Sequence, residues 1–100
     1  MNPLEFSKAI KDPSVYLLDV RPSEFYDTAH IAGAHNLDVT KPDFASLAEK
    51  TLPKDKTIAV YCNTGKHSAI AQDELLKLGF NVINLDNGIN SWIEAGLPTT

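Results

Sequence analysis

Thr57-Ile58-Ala59-Val60-Tyr61-Cys62-Asn63-Thr64-Gly65-Lys66-His67-Ser68-Ala69-Ile70 carries the transition that decides the fold. An apolar run ends at a thiol, a short polar loop follows, and a helical pattern then begins. A loop curled ahead of a helix start can aim several backbone N–H groups at one point, which then carries positive partial charge. A thiol held there is biased toward thiolate, its nucleophilic form. Most free cysteines are buried packing residues. The strand-end position of Cys62 and the loop after it favour a reactive role instead.

Outward from this stretch, strands alternate with helices through short connections. Asn2 and Pro3 resemble an N-cap and first helical turn, and Leu4, Ala9 and Ile10 can share one helical face. Val15 to Val20 is nearly continuous apolar sequence, as suits a central strand covered on both faces. Pro22 to Tyr26 reads as a short helix, His35 to Val39 as a weaker strand, and Pro42 to Glu49 as a helix burying Phe44, Leu47 and Ala48. Thr57 to Tyr61 is the strongest strand. Ser68 to Leu78 is the strongest helix, with Ile70, Ala71, Leu75 and Leu78 on one side and Gly79 closing it. Val82 to Leu85 is a strand, and Ile89 to Ala95 a last helix ended by Gly96 and Pro98. This order predicts an α/β fold with a mostly parallel central sheet and helices on both faces. Ligands of such sheets bind at the carboxyl ends of strands. Cys62 lies at one such end, and Asp19 and Arg21 at another.

Composition narrows the function classes. The 100 residues fit one small domain, 43% of them are hydrophobic, and a core forms without help from metal or disulfide. That domain could also be part of a longer chain. The single cysteine allows no internal disulfide, so nothing requires an oxidising compartment. It also leaves no second thiol to resolve an oxidised or sulfur-loaded Cys62, so any such group must leave to an external acceptor. The net charge of −4, without a long basic block, argues against nucleic-acid binding. Apolar runs are too short to span a bilayer, and the first residues lack the basic and apolar regions of a signal peptide. The chain reads as soluble and cytoplasmic.

Within the loop, Gly65 permits the positive backbone angles of a tight amide cradle. Ser68 can cap the following helix with its hydroxyl, and Asn63, Thr64 and Ser68 can add side-chain donors toward an anion. The same residue types also occur in ordinary strand-to-helix turns. Asp19 and Arg21 read first as a structural ion pair beside the site, with Arg21 also a candidate contact for substrate. His30 and His35 lack a companion Cys or carboxylate pattern, so no metal site is expected, and His30 reads as a turn or core residue. Trp92 reads as core packing with its N–H satisfied. Glu24 to Asp27 reads as a solvated helix face.

Two further segments extend the pattern. Leu18 to Asn36 contains Asp19-Val20-Arg21 at a strand end, followed by His30-Ile31-Ala32-Gly33-Ala34. Leu85 to Pro98 contains Asn87-Gly88, Trp92 and a closing Gly96-Leu97-Pro98. With the Cys62 loop between them, the chain resembles the rhodanese-like family of sulfurtransferases over nearly its whole length. The resemblance implies an α/β fold and a nucleophilic cysteine, Cys62, that takes up sulfane sulfur as a persulfide. It implies no cofactor. The partners expected are a small sulfur donor, thiosulfate or a persulfide, and a thiol, protein-cysteine or cyanide acceptor. Asn63, Thr64, Gly65, Lys66, His67, Ser68 and Arg21 are then the candidates for holding the donor.

The loop from Cys62 to His67 has the six residues of the sulfur-transferring branch. Phosphatase-like relatives have one residue more and end in arginine, where Ser68 stands here. Their chemistry needs arginine to clamp an oxyanion, and none follows Arg21. The chain departs from the family at the sixth loop position, commonly arginine and here His67. Arginine is charged at every relevant pH, whereas an ordinary histidine is mostly neutral near pH 7. Lys66 partly compensates. Ala29 stands where the family often has glycine, Ala32 where it often has proline, and Asn87 replaces the first of two glycines. The competing reading is a rhodanese-like binding or regulatory module with little catalytic activity. His67 favours that reading, while the retained Cys62 and Gly65 oppose it.

Overall fold

A computed structural model describes residues 1–100, and its elements alternate as the sequence predicts. In chain order they are α1 (Pro3–Ala9), β1 (Val15–Asp19), α2 (Ser23–Thr28), β2 (His35–Asn36), α3 (Phe44–Thr51), β3 (Thr57–Tyr61), α4 (Lys66–Lys77), β4 (Val82–Asn84) and α5 (Gly88–Glu94). The four strands form one parallel sheet in the order β2-β1-β3-β4. β3 is therefore flanked on both sides, with Asp19 of β1 opposite Tyr61 and Asn84 of β4 opposite Val60.

Side chains of a strand alternate between faces, and β3 divides the core accordingly. Ile58, Val60 and Cys62 pack on one face with Phe44, Ala48 and Leu52 around α3 and with Ala71 and Leu75 of α4. Ala59 and Tyr61 pack on the other with Phe6 of α1 and Ile89 and Trp92 of α5. Helices thus cover both faces, which is why β1 and β3 are almost continuously apolar. Trp92 is buried, meets Phe6 edge to face at 6.4 Å and donates its indole N–H to the Pro98 carbonyl at 2.9 Å. No helix is long and apolar enough to cross a membrane.

Several boundaries and faces differ from the sequence expectation. α1 has the expected Asn2 cap, with Asn2 Oδ1 accepting the Glu5 N–H and Glu5 Oε1 accepting that of Asn2. Its buried residue is Phe6, and Leu4 is 62% exposed. The strand expected over His35 to Val39 pairs regularly only at His35–Asn36. The Leu37 and Val39 amides still bond the Asp19 and Val20 carbonyls, but Asp38 Oδ1 accepts the Thr40 N–H and hydroxyl and turns the edge away. α3 starts at Phe44 rather than Pro42 and runs on to Thr51. α4 starts at Lys66 rather than Ser68, because Gly65 adopts φ +102° and turns the chain straight into the helix. Ile70 is 50% exposed and is not part of the buried face, which Ser68, Ala71 and Leu75 make.

These faces predict a contrast within α4. Leu75→Ala opens a cavity in the α4 core and lowers stability by about 2–5 kcal/mol. Ile70→Ala, on the outer face, lowers it by about 1 kcal/mol or less. Urea unfolding of both variants measures the difference, and equal losses would contradict the assigned face.

Candidate active site

The site lies where β1 and β3 end side by side. Cys62 follows β3 directly and is only 2% exposed. Gly65 donates its N–H to Cys62 Sγ at 3.0 Å. The thiol lies 3.4 Å from Ser68 Oγ, which bonds the Gly65 carbonyl at 3.2 Å. Sulfur, serine hydroxyl and both backbone groups of Gly65 thus close a small ring. Burial pushes the Cys62 thiol up, but the Ser68 side chain and the Ser68, Gly65 and Thr64 amides together outweigh it. The net result is a thiol below its ordinary value, hence more thiolate at neutral pH.

Ser68 therefore differs from its expected role. It is the third residue of α4, fully buried, and donates back to Gly65 instead of accepting an N–H as an N-cap. Gly65 itself is the N-cap residue. When Cys62 is a thiol it donates to Ser68 Oγ. When it is a thiolate, the hydroxyl can rotate and donate to sulfur.

The loop is held in shape by α5. The Ile89 N–H bonds the Cys62 carbonyl at 2.8 Å, and the Asn90 N–H bonds the Asn63 carbonyl at 3.2 Å. These are orphan amides of a helix start, and the loop carbonyls satisfy them. Gly88 makes the approach possible. A Cβ on it would lie 2.5 Å from the Asn63 carbonyl carbon and oxygen, and closer still to the Cys62 carbonyl oxygen. Asn87 before it adopts φ +59°, a left-handed conformation asparagine tolerates. The sequence marks Asn87-Gly88 as a turn, but nothing in it says which backbone that turn meets.

Asp19 and Arg21 form the second support. Both are buried, at 0% and 5% exposure. Arg21 Nε reaches both Asp19 oxygens at 3.0 and 3.1 Å, and Nη2 reaches Asp19 Oδ2 at 2.7 Å and the Ala29 carbonyl at 2.6 Å. Nη1 donates to Asn63 Oδ1 at 3.2 Å. Burial works against the guanidinium charge, but the Asp19 carboxylate more than offsets it. Arg21, expected among the anion contacts, is instead engaged behind the loop and touches it through Asn63. Tyr61, under the same network, has its hydroxyl pushed above the ordinary range, first by burial and then by Asp19.

The remaining candidates spread around this centre. Lys66 and His67 open α4 and are exposed. Thr64 and Gly65 border a cavity of about 540 Å³ shared with Asn84, Asp86 and Asn87, which Cys62 does not line. His30 is outside the site, stacked on Tyr26 with ring centroids 3.9 Å apart and Nδ1 bonded to the Tyr26 carbonyl at 2.8 Å.

A doubly covered parallel sheet that presents a cysteine loop at a strand end defines an α/β domain with its one thiol where such sheets bind ligands. The rhodanese-like domain model matches residues 2–95, and the chain belongs to that family. It is 33% identical over 97 residues to the tRNA uridine(34) hydroxylase of Staphylococcus aureus, covering 92% of this chain and 30% of that protein. The chain thus spans about a third of the length of that relative. Among solved structures, a rhodanese-related protein from Thermoplasma volcanium superposes with a TM-score of 0.87 at 33% identity, covering 100% of this chain and 95% of the other. A thiosulfate sulfurtransferase from Pseudomonas aeruginosa superposes with a TM-score of 0.84 at 26% identity, covering 100% and 19%.

The α5 contact carries a test. Gly88→Ala forces the Cys62 and Asn63 carbonyls away from α5 and loosens the amides around sulfur. The variant is expected to fold with a lower Tm and to ionise Cys62 at higher pH, read from the pH dependence of alkylation by iodoacetamide. An unchanged alkylation midpoint in the folded variant would separate the α5 contact from thiol activation.

Proposed function

We propose that the protein is a sulfurtransferase that carries sulfane sulfur on Cys62. The observation that supports this best is a buried sulfur held by the Gly65 N–H at 3.0 Å and the Ser68 hydroxyl at 3.4 Å, in a loop that lowers its pKa. In the first half-reaction the Cys62 thiolate attacks the outer sulfur of thiosulfate. The S–S bond of the donor breaks, its electron pair leaves with sulfite, and a Cys62 persulfide remains. In the second, a thiolate or cyanide attacks the outer persulfide sulfur, and Cys62 departs again as thiolate. Charge stays near the loop amides throughout, so preorganised backbone dipoles stabilise reactant, intermediate and leaving group alike. No general base is needed, because the attacking group is already ionised.

With no second thiol in the chain, the acceptor is an external thiol, a protein cysteine or cyanide. A free thiolate as working group suits a reducing, cytoplasmic setting. No cofactor enters either step. Lys66, exposed at the start of α4 beside His67, is the cation available to attract an anionic donor. The competing reading, a binding module of the same fold, leaves the alignment of donors on a functional sulfur without purpose.

Intact mass tests the reaction directly. Incubation with thiosulfate is expected to add one sulfur atom to the protein, and cyanide to remove it. Cys62→Ser is expected to show neither change. Sulfur transfer by Cys62→Ser at the parent rate would exclude the mechanism.

His67 gives a second test. A fixed charge at this position is expected to strengthen thiosulfate binding by about 1 kcal/mol, or roughly fivefold in the Michaelis constant. An unchanged Michaelis constant in His67→Arg, checked by direct binding, would remove His67 from the donor site.

A further inference from the structure

A groove of about 180 Å³ lies between α3 and α4. Val39, Phe44, Ala45 and Ile70 give it apolar walls, and Lys41 and Glu74 stand on its two sides. Its place relative to the sulfur follows from the sheet. The Val20 N–H donates to the Tyr61 carbonyl and the Val39 N–H to the Val20 carbonyl, both at 3.1 Å. Val39, Val20 and Cys62 thus stand in one row across the strand ends, and two strand spacings make that row about 10 Å long. Cys62 packs on the α3 and α4 face, in the same core cluster as Phe44, with Val39 against it. Along α4, Lys66, Ile70 and Glu74 are spaced four residues apart and share one helix face. That face runs from the loop to the groove, with a cation at the loop end and a carboxylate at the far end.

We propose that this groove docks the cysteine-bearing segment of an acceptor protein. The segment is extended, with a large apolar side chain about three residues from its cysteine and a basic one about two residues further on. The proposal rests on the sulfur-transfer reading and assigns the acceptor side of that reaction. With no second thiol in the chain, sulfur on Cys62 must leave to another molecule. Volume sets the anchor. A cavity of about 150 Å³ holds a benzene-sized group, so one leucine or phenylalanine side chain fills this groove. Charge sets the direction, with the basic residue at Glu74 and an acidic one beside the cysteine near exposed Lys66. A small acceptor such as cyanide gains nothing from the groove. In the transfer, the acceptor's cysteine thiolate attacks the outer sulfur of the Cys62 persulfide. An S–S bond to the acceptor forms, the S–S bond to Cys62 breaks, and its electron pair returns to Cys62 as thiolate. The persulfide proton stays on the transferred sulfur.

The test uses acetylated, amidated peptides with the order aspartate, cysteine, two glycines, leucine, glycine and lysine. Their reaction with sulfur-loaded protein is followed by intact mass. Replacing the peptide's leucine by glycine is expected to lower kcat/KM about tenfold. Ala45→Phe fills the groove, and Ile70→Gln removes an exposed apolar wall. Each is expected to erase the difference between the two peptides while cyanide removes sulfur at the parent rate. Glu74→Lys is expected to prefer a peptide ending in glutamate to one ending in lysine, the reverse of the parent, by about two- to threefold. Independently of sulfur chemistry, the peptide with serine in place of cysteine is expected to shift the NMR signals of Val39, Ala45 and Ile70 in the unloaded parent.

Equal kcat/KM for the leucine and glycine peptides overturns the proposal, as do NMR shifts confined to residues outside the groove. Loss of cyanide reactivity together with peptide reactivity in both Ala45→Phe and Ile70→Gln overturns it as well, because that marks damage to the loop. Concentration-dependent shifts at the groove residues without peptide would give the groove to a second copy of this chain instead. Failure of the parent to take up sulfur would overturn the sulfur-transfer reading, a separate result that leaves the serine peptide as the test of the groove.

Discussion

The close approach of α5 to the backbone of Cys62 and Asn63 is the contact on which the site depends. It exists because Gly88 has no Cβ, and its two hydrogen bonds run from the helix start to the loop carbonyls. A peptide unit whose carbonyl is fixed outward has its plane fixed, and the amides after it are fixed with it. One of them, the Thr64 N–H, helps favour the Cys62 thiolate, and the next peptide unit carries the Gly65 N–H that bonds Sγ at 3.0 Å. The start of α5 and the active-site loop thus satisfy each other's unpaired backbone groups, and neither has the same shape without the other. Trp92 and Ile89 anchor α5 in the core beneath the sheet, so the geometry of the thiol is tied to packing well away from it.

The buried Asp19–Arg21 pair answers a different need. Taking two charges out of water costs several kcal/mol per ion, so such pairs contribute little net stability. Here the pair is densely hydrogen-bonded and gathers three segments: the end of β1, the carbonyl of Ala29 after α2, and Asn63 in the loop. Losing one partner would strand the other in a dry interior, at a cost of about 3–5 kcal/mol. The pair therefore specifies where these segments meet. It is better understood as a joint between the β1 and β3 ends than as a binding group.

Much of this was legible in the sequence because it rests on local rules. The apolar runs at Val15 and Thr57, the helical spacing after Gly65 and the short connections lead directly to a doubly covered parallel sheet. Cys62 stood out by position as well as by type. What stayed hidden depends on contacts between distant segments. The approach of Gly88 to Cys62 spans two separate βα connections, and an Asn-Gly pair looks the same whatever lies opposite it. Ile70 fits an apolar helical face by spacing, yet Gly65 starts α4 earlier and Ser68 takes the buried position nearest the sulfur. Arg21 carries the charge expected of an anion ligand, and only its three partner residues in space show that most of its donors are already engaged.

The division of charge around Cys62 follows from these constraints. The side-chain cation at the loop, Lys66, is exposed, where water and salt screen it. The groups that touch sulfur are neutral dipoles held rigidly in a buried setting, where the lower dielectric makes each stronger. A cradle of this kind favours a thiolate or persulfide anion without depending on a titrating neighbour. The backbone thus sets the ionisation of the sulfur, while Lys66 and His67 stand exposed at the start of α4. Changes at Gly65, Ser68 or Gly88 act on the thiol itself, whereas changes at the exposed residues leave its hydrogen bonds in place.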